Sequence, residues 1–176
     1  MDSMAMAPEL QCTQWFNTEV PVTLAALRGK VVVIEAFQML CPGCVSHGLP
    51  QVQKMRHVFP EDRVAVLGLH TVFEHHTAMA PVALQAFLHE YRIQFPVGVD
   101  MPADTGSIPR TMAAYGMRGT PTLLIIDRAG RLRHQHFGQM EDMALGAQVA
   151  LLMGEAMGAD AAADAGEACS MGGTCG

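Results

Sequence analysis

A run of apolar, mostly β-branched residues leads almost directly into a pair of cysteines. The run Val31–Phe37 reads Val-Val-Val-Ile-Glu-Ala-Phe, and Cys41, Pro42, Gly43 and Cys44 follow it after three residues. A nearly continuous apolar run of this length predicts a strand buried on both faces, which is typical of a sheet covered by helices. Proline is accepted in the first turn of a helix, where its missing N–H would have had no partner. The sequence therefore predicts a central strand, then a cysteine pair at the start of a helix.

The other apolar patterns predict an α/β domain with a mixed sheet, because strands and helices alternate before a hairpin and a closing helix. Turn residues and prolines mark the ends of these elements. The predicted strands are 13–17, 31–37, 64–69, 96–100, 122–126 and 132–137, and the predicted helices run from Pro42 towards Phe59, from Pro81 to Tyr91, and through Leu145 to Leu152.

Composition divides the chain into three parts. Residues 1–12 read as an N-terminal lead-in, and residues 13–153 hold the apolar patterns of one domain. Residues 154–176 are mostly Gly, Ala, Asp and Glu and include Cys169 and Cys175. Such a segment buries too little apolar area to offset the entropy of ordering it, so we expect a flexible tail.

Charge and cysteine usage exclude several classes of protein. The net charge is -6 and only two lysines are present, so neither a nucleic-acid partner nor a basic membrane-binding patch is expected. The N-terminus lacks a basic start and an apolar segment, which predicts a cytoplasmic protein. Five cysteines, an odd number, argue against a structural disulfide framework in that compartment and favour reactive or metal-binding cysteines.

The predicted position of the cysteine pair at the start of a helix favours a redox function. A helix N-terminus carries partial positive charge and free N–H groups, which lower the pKa of a thiol there from about 8.5 towards about 7 or below. Cys41 would then attack as a thiolate, and Cys44, one turn further on, would resolve the mixed disulfide. The alternative is half of a zinc site, but zinc needs four ligands and a second Cys-x-x-Cys is missing.

Two segments resemble thioredoxins. Residues 32–44 resemble the active-site strand and loop, and residues 115–123, Tyr-Gly-Met-Arg-Gly-Thr-Pro-Thr-Leu, resemble the segment that carries the cis-proline. The long helix-bearing stretch between them, around Thr71 to Pro96, is similar to the TlpA-like and ResA-like branch, which is related to the AhpC/TSA proteins. The resemblance implies a thioredoxin fold, in which a central mixed sheet is flanked by helices. It also implies an extra helix-containing insertion between the active-site helix and the cis-proline strand.

The same resemblance assigns roles to individual residues. Pro121 would be cis and face the cysteines, whereas an ordinary X-Pro bond would be trans. Thr120 would offer its backbone to an extended substrate, beside Pro42 and Gly43. Glu35 would lie beneath the second cysteine with a raised pKa and act as a base, unless it faces solvent or pairs with an arginine.

One departure from the branch affects the helix after the cysteines. A proline usually follows five residues after the second cysteine, whereas here Pro50 follows six residues after Cys44, with Gly48 between them. The extra residue predicts a bulge in the first turns of this helix.

Thiol–disulfide exchange, with reduction of protein disulfides and no cofactor or metal, is the function that these residues favour. The partner would be a protein or small-molecule disulfide or dithiol. The tail pair Cys169 and Cys175 could act as a relay that exchanges with the Cys41–Cys44 disulfide, since the reach of the tail, about 20–24 Å, exceeds the domain radius of about 15 Å. The alternative is that the tail thiols are idle or hold an adventitious metal ion. One alternative is a peroxiredoxin-like thiol peroxidase, although neither cysteine has the required Pro and Thr/Ser seven and three residues before it. Another is a copper or zinc carrier on the same fold.

Overall fold

Six strands form one mixed sheet in the computed structural model, which describes residues 5–156. The strands lie in the order β1-β4-β3-β2-β5-β6, so the strand that precedes the cysteines has neighbours on both sides. Their bounds are β1 Cys12–Phe16, β2 Val31–Phe37, β3 Val64–His70, β4 Val97–Asp100, β5 Thr122–Ile126 and β6 Leu132–Phe137.

Strand β2 organises the sheet. It pairs in parallel with β3 and antiparallel with β5, and all seven of its residues are buried. The strand pairs β1–β4 and β5–β6 are antiparallel and form the two edges. This is the central strand buried on both faces that the apolar run predicts, and the mixed sheet is confirmed.

Helices cover both faces of the sheet. One face packs against α1, α2 and α4, and the other packs against α3 and the segments on either side of it. Helix α2 lies in the insertion that the sequence predicts between the active-site helix and β5. Within residues 5–156 no helix is long and apolar enough to cross a membrane. The helices are α1 Leu49–Val58, α2 Pro81–Glu90, α3 Arg110–Ala114 and α4 Asp142–Gly154.

Helix α3 is absent from the sequence prediction. It has five residues, too few for a periodic pattern, and a carboxylate distant in sequence holds its start. The carboxylate of Asp100 accepts hydrogen bonds from the backbone N–H groups of Thr111 at 2.8 Å and Met112 at 3.0 Å. The helix therefore depends on the end of β4 rather than on its own sequence.

Residues 5–11 pack against the domain, although the sequence predicts only a lead-in there. The N–H of Ala7 donates to the carbonyl of Gly130 at 2.9 Å, and the Tyr115 hydroxyl donates to the carbonyl of Pro8 at 2.7 Å. The carboxylate of Glu9 accepts the N–H of Leu24 at 2.8 Å. These hydrogen bonds join segments far apart in sequence, so no local sequence pattern predicts that residues 5–11 are ordered against the domain.

The direction of β2 defines two ends of the domain. Its carboxyl end leads to the cysteines, and its amino end lies beside the turn between β5 and β6. At this second end the Arg133 guanidinium contacts the carboxylates of Asp127 at 3.3 Å and Glu155 at 2.5–2.9 Å. The end of α4 is therefore fixed at the end of the sheet opposite the cysteine pair.

His70, the last residue of β3, is a buried polar side chain. It is 1% exposed, and neither ring nitrogen has a hydrogen-bond partner among residues 5–156. Its ring packs against Phe37, with 5.3 Å between the centroids. Burial lowers the pKa of His70 from 6.5 to about 4, because the charged form would lose its hydration.

This burial predicts a pH dependence of stability. Between about pH 6.5 and pH 4 the unfolded chain binds a proton at His70 that the folded chain does not bind. The free energy of unfolding should therefore fall as the pH drops through this window, by up to about 3 kcal/mol from this group. Urea unfolding of wild type and His70→Leu at pH 7 and pH 4.5 should show a smaller decline in the variant. An equal decline in both proteins would contradict the assignment.

Candidate functional site

The two cysteines form a disulfide at the start of a helical segment. Cys44 is buried, whereas Cys41 is half-buried and lies nearer the surface. The N–H of Cys44 donates to Cys41 Sγ at 3.2 Å, and the N–H of Val45 donates to the Cys41 carbonyl at 3.1 Å. In the reduced protein the same N–H group would stabilise a thiolate at Cys41, as the helix dipole does.

Thr120 and Pro121 lie against this disulfide. Their peptide bond is cis, as the resemblance implies, and the Thr120 carbonyl oxygen lies 3.6 Å from Cys41 Sγ. A Cβ atom at Gly43 would lie 3.4 Å from Pro121 Cδ, which shows how closely the cysteine loop and the proline approach each other. The two segments that resemble thioredoxins in sequence therefore meet in the structure.

Glu35 projects from the middle of β2 into the protein interior. It is 1% exposed, and its Oε1 atom has no hydrogen-bond partner in the described part of the chain. The alternative of a solvent-facing side chain is wrong, because β2 is the strand between β3 and β5 and is fully buried. Burial raises the pKa of Glu35 from 4.5 to about 8, since the ionised carboxylate would be poorly solvated.

The expected helix bulge is confirmed as a π-helical turn over Cys44–Gly48. The N–H of Leu49 bonds to the carbonyl of Cys44, five residues before it, and Pro50 then occupies the first turn of α1. A Cβ atom at Gly48 would collide with the Glu35 carboxyl, so glycine is required where this wide turn passes over Glu35. The extra residue between Cys44 and Pro50 thus brings helix backbone against the buried acid.

A cleft of about 400 Å³ opens beside Glu35. Its walls are the start of α1, Pro121 and residues 138–143. Gln51 Nε2 donates to the Met140 carbonyl at 2.6 Å, and Lys54 pairs with Asp142 at 2.9 Å, so α1 is fastened to the opposite wall. Glu35 is one of the residues that line this cleft.

Gln38 is the site residue that sequence reasoning missed. It is 2% exposed and lies three residues before Cys41, with hydrogen bonds to Thr120 and to the backbone of Phe73. A pattern in the sequence could have found it. Between Val31 and Leu40 all residues are apolar except Glu35 and Gln38, so the amide stands out.

The remaining cysteines do not join this centre in the described structure. Cys12 is a half-buried free thiol whose pKa is raised to about 12 by burial and by the nearby Asp100 carboxylate. It remains protonated at neutral pH and is a poor nucleophile. Cys169 and Cys175 lie outside the described residues.

Residues 4–135 match the model of the AhpC/TSA family. This match covers more than half of the chain. The chain belongs to the AhpC/TSA family.

Curated relatives of this AhpC/TSA protein include one that is named a thiol-disulfide oxidoreductase. It is 30% identical to "Protein DipZ" of Mycobacterium tuberculosis over 142 residues, which are 79% of this chain and 19% of that protein. It is 25% identical to "Thiol-disulfide oxidoreductase ResA" of Halalkalibacterium halodurans over 136 residues, which are 77% of this chain and 69% of that protein. The chain thus spans about a fifth of the DipZ proteins that it matches.

Solved structures of similar sequence show the fold to which the chain belongs. A crystal structure described as a thioredoxin-like superfamily protein is 69% identical, with a TM-score of 0.85 over 88% of this chain and 99% of that one. A thiol-disulfide isomerase from Corynebacterium glutamicum is 48% identical, with a TM-score of 0.84 over 89% of this chain and 100% of that one. This AhpC/TSA protein therefore has the thioredoxin-like fold.

The raised pKa of Glu35 predicts an opposite pH dependence to that of His70. Between about pH 4.5 and pH 8 the folded chain keeps a proton that the unfolded chain has released. The free energy of unfolding should therefore fall as the pH rises through this window. The fall that comes from Glu35 is on the order of 3–5 kcal/mol.

Replacing Glu35 with Gln should remove this dependence and should make the oxidised protein more stable than wild type at pH 8.5. Urea unfolding at pH 5 and pH 8.5 measures the effect. Glu141→Gln, which changes an exposed acid of the same cleft, is the matched control and should follow wild type. A Glu35→Gln variant with the slope of wild type would contradict the assignment.

Proposed function

We propose that the chain reduces disulfides in other proteins, with Cys41 as the attacking sulfur. The observation that supports this most strongly is the pair of backbone groups that contact Cys41 Sγ. The sulfur lies 3.2 Å from the N–H of Cys44 and 3.6 Å from the carbonyl oxygen of Thr120, at a half-buried position that a partner can reach. The N–H of Cys44 favours the thiolate form of Cys41. The carbonyl of Thr120 belongs to a backbone segment with which an extended substrate can pair.

The reaction proceeds by two exchanges in which electrons balance. The Cys41 thiolate attacks one sulfur of the substrate disulfide, the substrate S–S bond breaks, and a mixed disulfide and a substrate thiolate form. Cys44 then loses its proton and attacks Cys41 Sγ, which releases the second substrate thiolate. The substrate gains two electrons and the protein is left with the Cys41–Cys44 disulfide seen here. A separate dithiol donor must reduce this disulfide before the next turnover.

Glu35 is the residue that we assign to the proton of Cys44. A pKa of about 8 lies near that of a free thiol, which suits proton transfer at neutral pH. The carboxyl lies beneath the π-helical turn that begins at Cys44, and Glu35 lines the cleft beside that turn. Its Oε1 atom has no hydrogen-bond partner among residues 5–156, so the ionised form of Glu35, which becomes abundant as the pH approaches 8, can take the Cys44 proton there.

The substrate would dock along the cysteine loop and the cis-proline segment. Pro42 is exposed next to Cys41, and the neighbouring Leu40 is 58% exposed, so an apolar rim surrounds the sulfur. The backbone of Thr120 provides the hydrogen-bonding groups for an added strand, with Gly43 packed behind it against Pro121.

Trapping of the mixed disulfide tests the order of attack. Reduced Cys44→Ser, mixed with a disulfide-bonded protein such as insulin, should accumulate a covalent adduct, because no resolving thiol remains. Cys41→Ser should give no adduct and at least about a hundredfold slower reduction, since Cys44 is buried. Non-reducing gel electrophoresis and mass spectrometry identify the adduct. An adduct through Cys44 in the Cys41→Ser variant would reverse the assignment.

Residues 5–156 do not favour either of the two other functions. A peroxidase of the kind considered above needs a hydroxyl residue three positions before the reactive cysteine, where Gln38 stands. For a metal carrier, residues 5–156 hold no group of three or more His, Cys, Asp or Glu side chains placed to bind an ion. Peroxide consumption and metal content of the purified protein test each directly. The cytoplasmic location stays a prediction.

We include in the proposal a relay in which the Cys169 and Cys175 thiols reduce the Cys41–Cys44 disulfide, become a disulfide themselves and are reduced in turn by the separate dithiol donor. The described chain ends beside Glu155, at the end of the sheet opposite the cysteines. Cys169 lies fourteen positions after Glu155, a distance along the chain of at most about 50 Å when extended, whereas β2 is about 23 Å long. The sulfurs can therefore reach Cys41 only if the segment runs along the whole domain.

Replacing both tail cysteines with Ser tests the relay. Turnover of a protein disulfide by a dithiol donor should fall at least about threefold in the double variant, because a tethered thiol acts at millimolar effective concentration. The variant should keep the wild-type rate when dithiothreitol reduces Cys41–Cys44 directly. Unchanged turnover with every donor would remove the relay and leave the Cys41–Cys44 reaction standing.

A further inference from the structure

Gln38 is a buried amide beside the disulfide that the reaction above does not use. It is 2% exposed and follows Phe37, the last residue of β2. A buried amide is costly unless its N–H and C=O groups find partners. The partners of Gln38 therefore indicate what the residue does.

Gln38 contacts three separate segments of the site. Its Nε2 donates to Thr120 Oγ1 at 3.5 Å, and its Oε1 accepts the N–H of Phe73 at 3.4 Å. Its main-chain carbonyl accepts the N–H of Cys41 at 3.2 Å. One residue thus joins the nucleophile, the segment that carries the cis-proline, and the loop after β3.

The loop after β3 is fastened at both ends. At its start, Thr71 is buried and its hydroxyl donates to Asp100 at 2.9 Å, and at its far end Met79 is buried. Between these anchors residues 74–78 are exposed. The N–H of Thr71 donates to the Phe37 carbonyl at 3.1 Å, and the N–H of Phe73 donates to the Gln38 side chain, so both bonds tie the start of the loop to the segment before the cysteines. Strand β3 ends beside the end of β2, so the loop begins next to the site.

We propose that Gln38 is a positioning residue for substrate docking, which holds the Thr120 segment and the 71–80 loop in register with Cys41. This inference rests on the proposed function, since it concerns how a protein disulfide is presented to that sulfur. The Thr120 carbonyl lies 3.6 Å from Cys41 Sγ, and the Thr120 hydroxyl is bound to Gln38. Removing the amide releases the Thr120 hydroxyl and the N–H of Phe73 from Gln38, while the two ends of the loop and both cysteines keep their own contacts.

The consequence differs between large and small substrates. A protein disulfide must pair its backbone with Thr120 and fit past the loop, so it depends on their position. A small aromatic disulfide, such as 5,5′-dithiobis(2-nitrobenzoate), requires only access to the half-buried sulfur of Cys41. Loss of Gln38 should therefore act on KM for the protein substrate and leave the small one unaffected.

Steady-state kinetics of Gln38→Leu with both substrates test the inference. For insulin we expect KM to rise about three- to tenfold, the effect of one neutral hydrogen bond, with kcat within about twofold of wild type. For the small disulfide kcat/KM should stay within about twofold, and the reduction potential of Cys41–Cys44 should not change. Gln53→Leu is the matched control. Gln53 lies in α1, away from Cys41 and Thr120, and its side-chain amide makes a comparable hydrogen bond to the carbonyl of Tyr91, the residue after α2.

Thr120→Val provides a second arm that keeps the shape of the side chain and removes the acceptor. It should raise KM for insulin alone, and the double variant Gln38→Leu/Thr120→Val should be no worse than the more impaired single variant, because both break one bond. If Gln38→Leu is unfolded by circular dichroism, the Thr120→Val result decides.

Equal losses with both substrates, or an unchanged KM for insulin in the folded variants, would overturn the role of Gln38. Absence of insulin reduction by wild type would instead overturn the proposed function, so the two failures are distinguishable.

Discussion

The contact between the Glu35 carboxyl and the backbone of Gly48 is the constraint on which the rest of the site depends. It places an acid with a pKa of about 8 in the middle of a fully buried strand, directly beneath the turn that carries Cys44. A side chain at position 48 would collide with that carboxyl, and the π-helical turn supplies the extra residue that brings glycine there. Because Pro121 packs against the same turn, the acid, the disulfide and the docking segment share one set of contacts.

Topology separates this centre from the place where the described chain ends. Strand β2 carries Glu35 towards the cysteines, while β5 and α4 return to the other end, where Arg133 binds Asp127 and Glu155. The redox site therefore sits at the carboxyl end of the central strands, and the loop after β3 and the segment before β5 meet there. The Gln38 side chain bonds to both, so under the proposed docking role the chain's own insertion is part of the surface that receives the substrate.

The sequence predicts those parts of the fold that short-range patterns specify. The apolar runs locate β2, β3 and β5, the cysteine spacing locates the disulfide, and the shifted Pro50 locates the π-helical turn. The parts it misses depend on partners distant in sequence: Asp100 holds α3, and residues 5–11 bond to the β5–β6 turn. His70 and Gln38 belong to the same group, because burial of a lone polar side chain is decided by what packs over it.

The pH dependence of alkylation at Cys41 in the reduced protein tests the central claim most directly. Peptide-resolved mass spectrometry after brief exposure to iodoacetamide separates Cys41 from Cys12, Cys44 and the tail cysteines. A thiolate stabilised by the Cys44 N–H and the helix N-terminus should give a rate with an inflection at about pH 7 or below. An inflection near pH 8.5, the value of a free cysteine, or faster alkylation of Cys44 than of Cys41, would contradict the account.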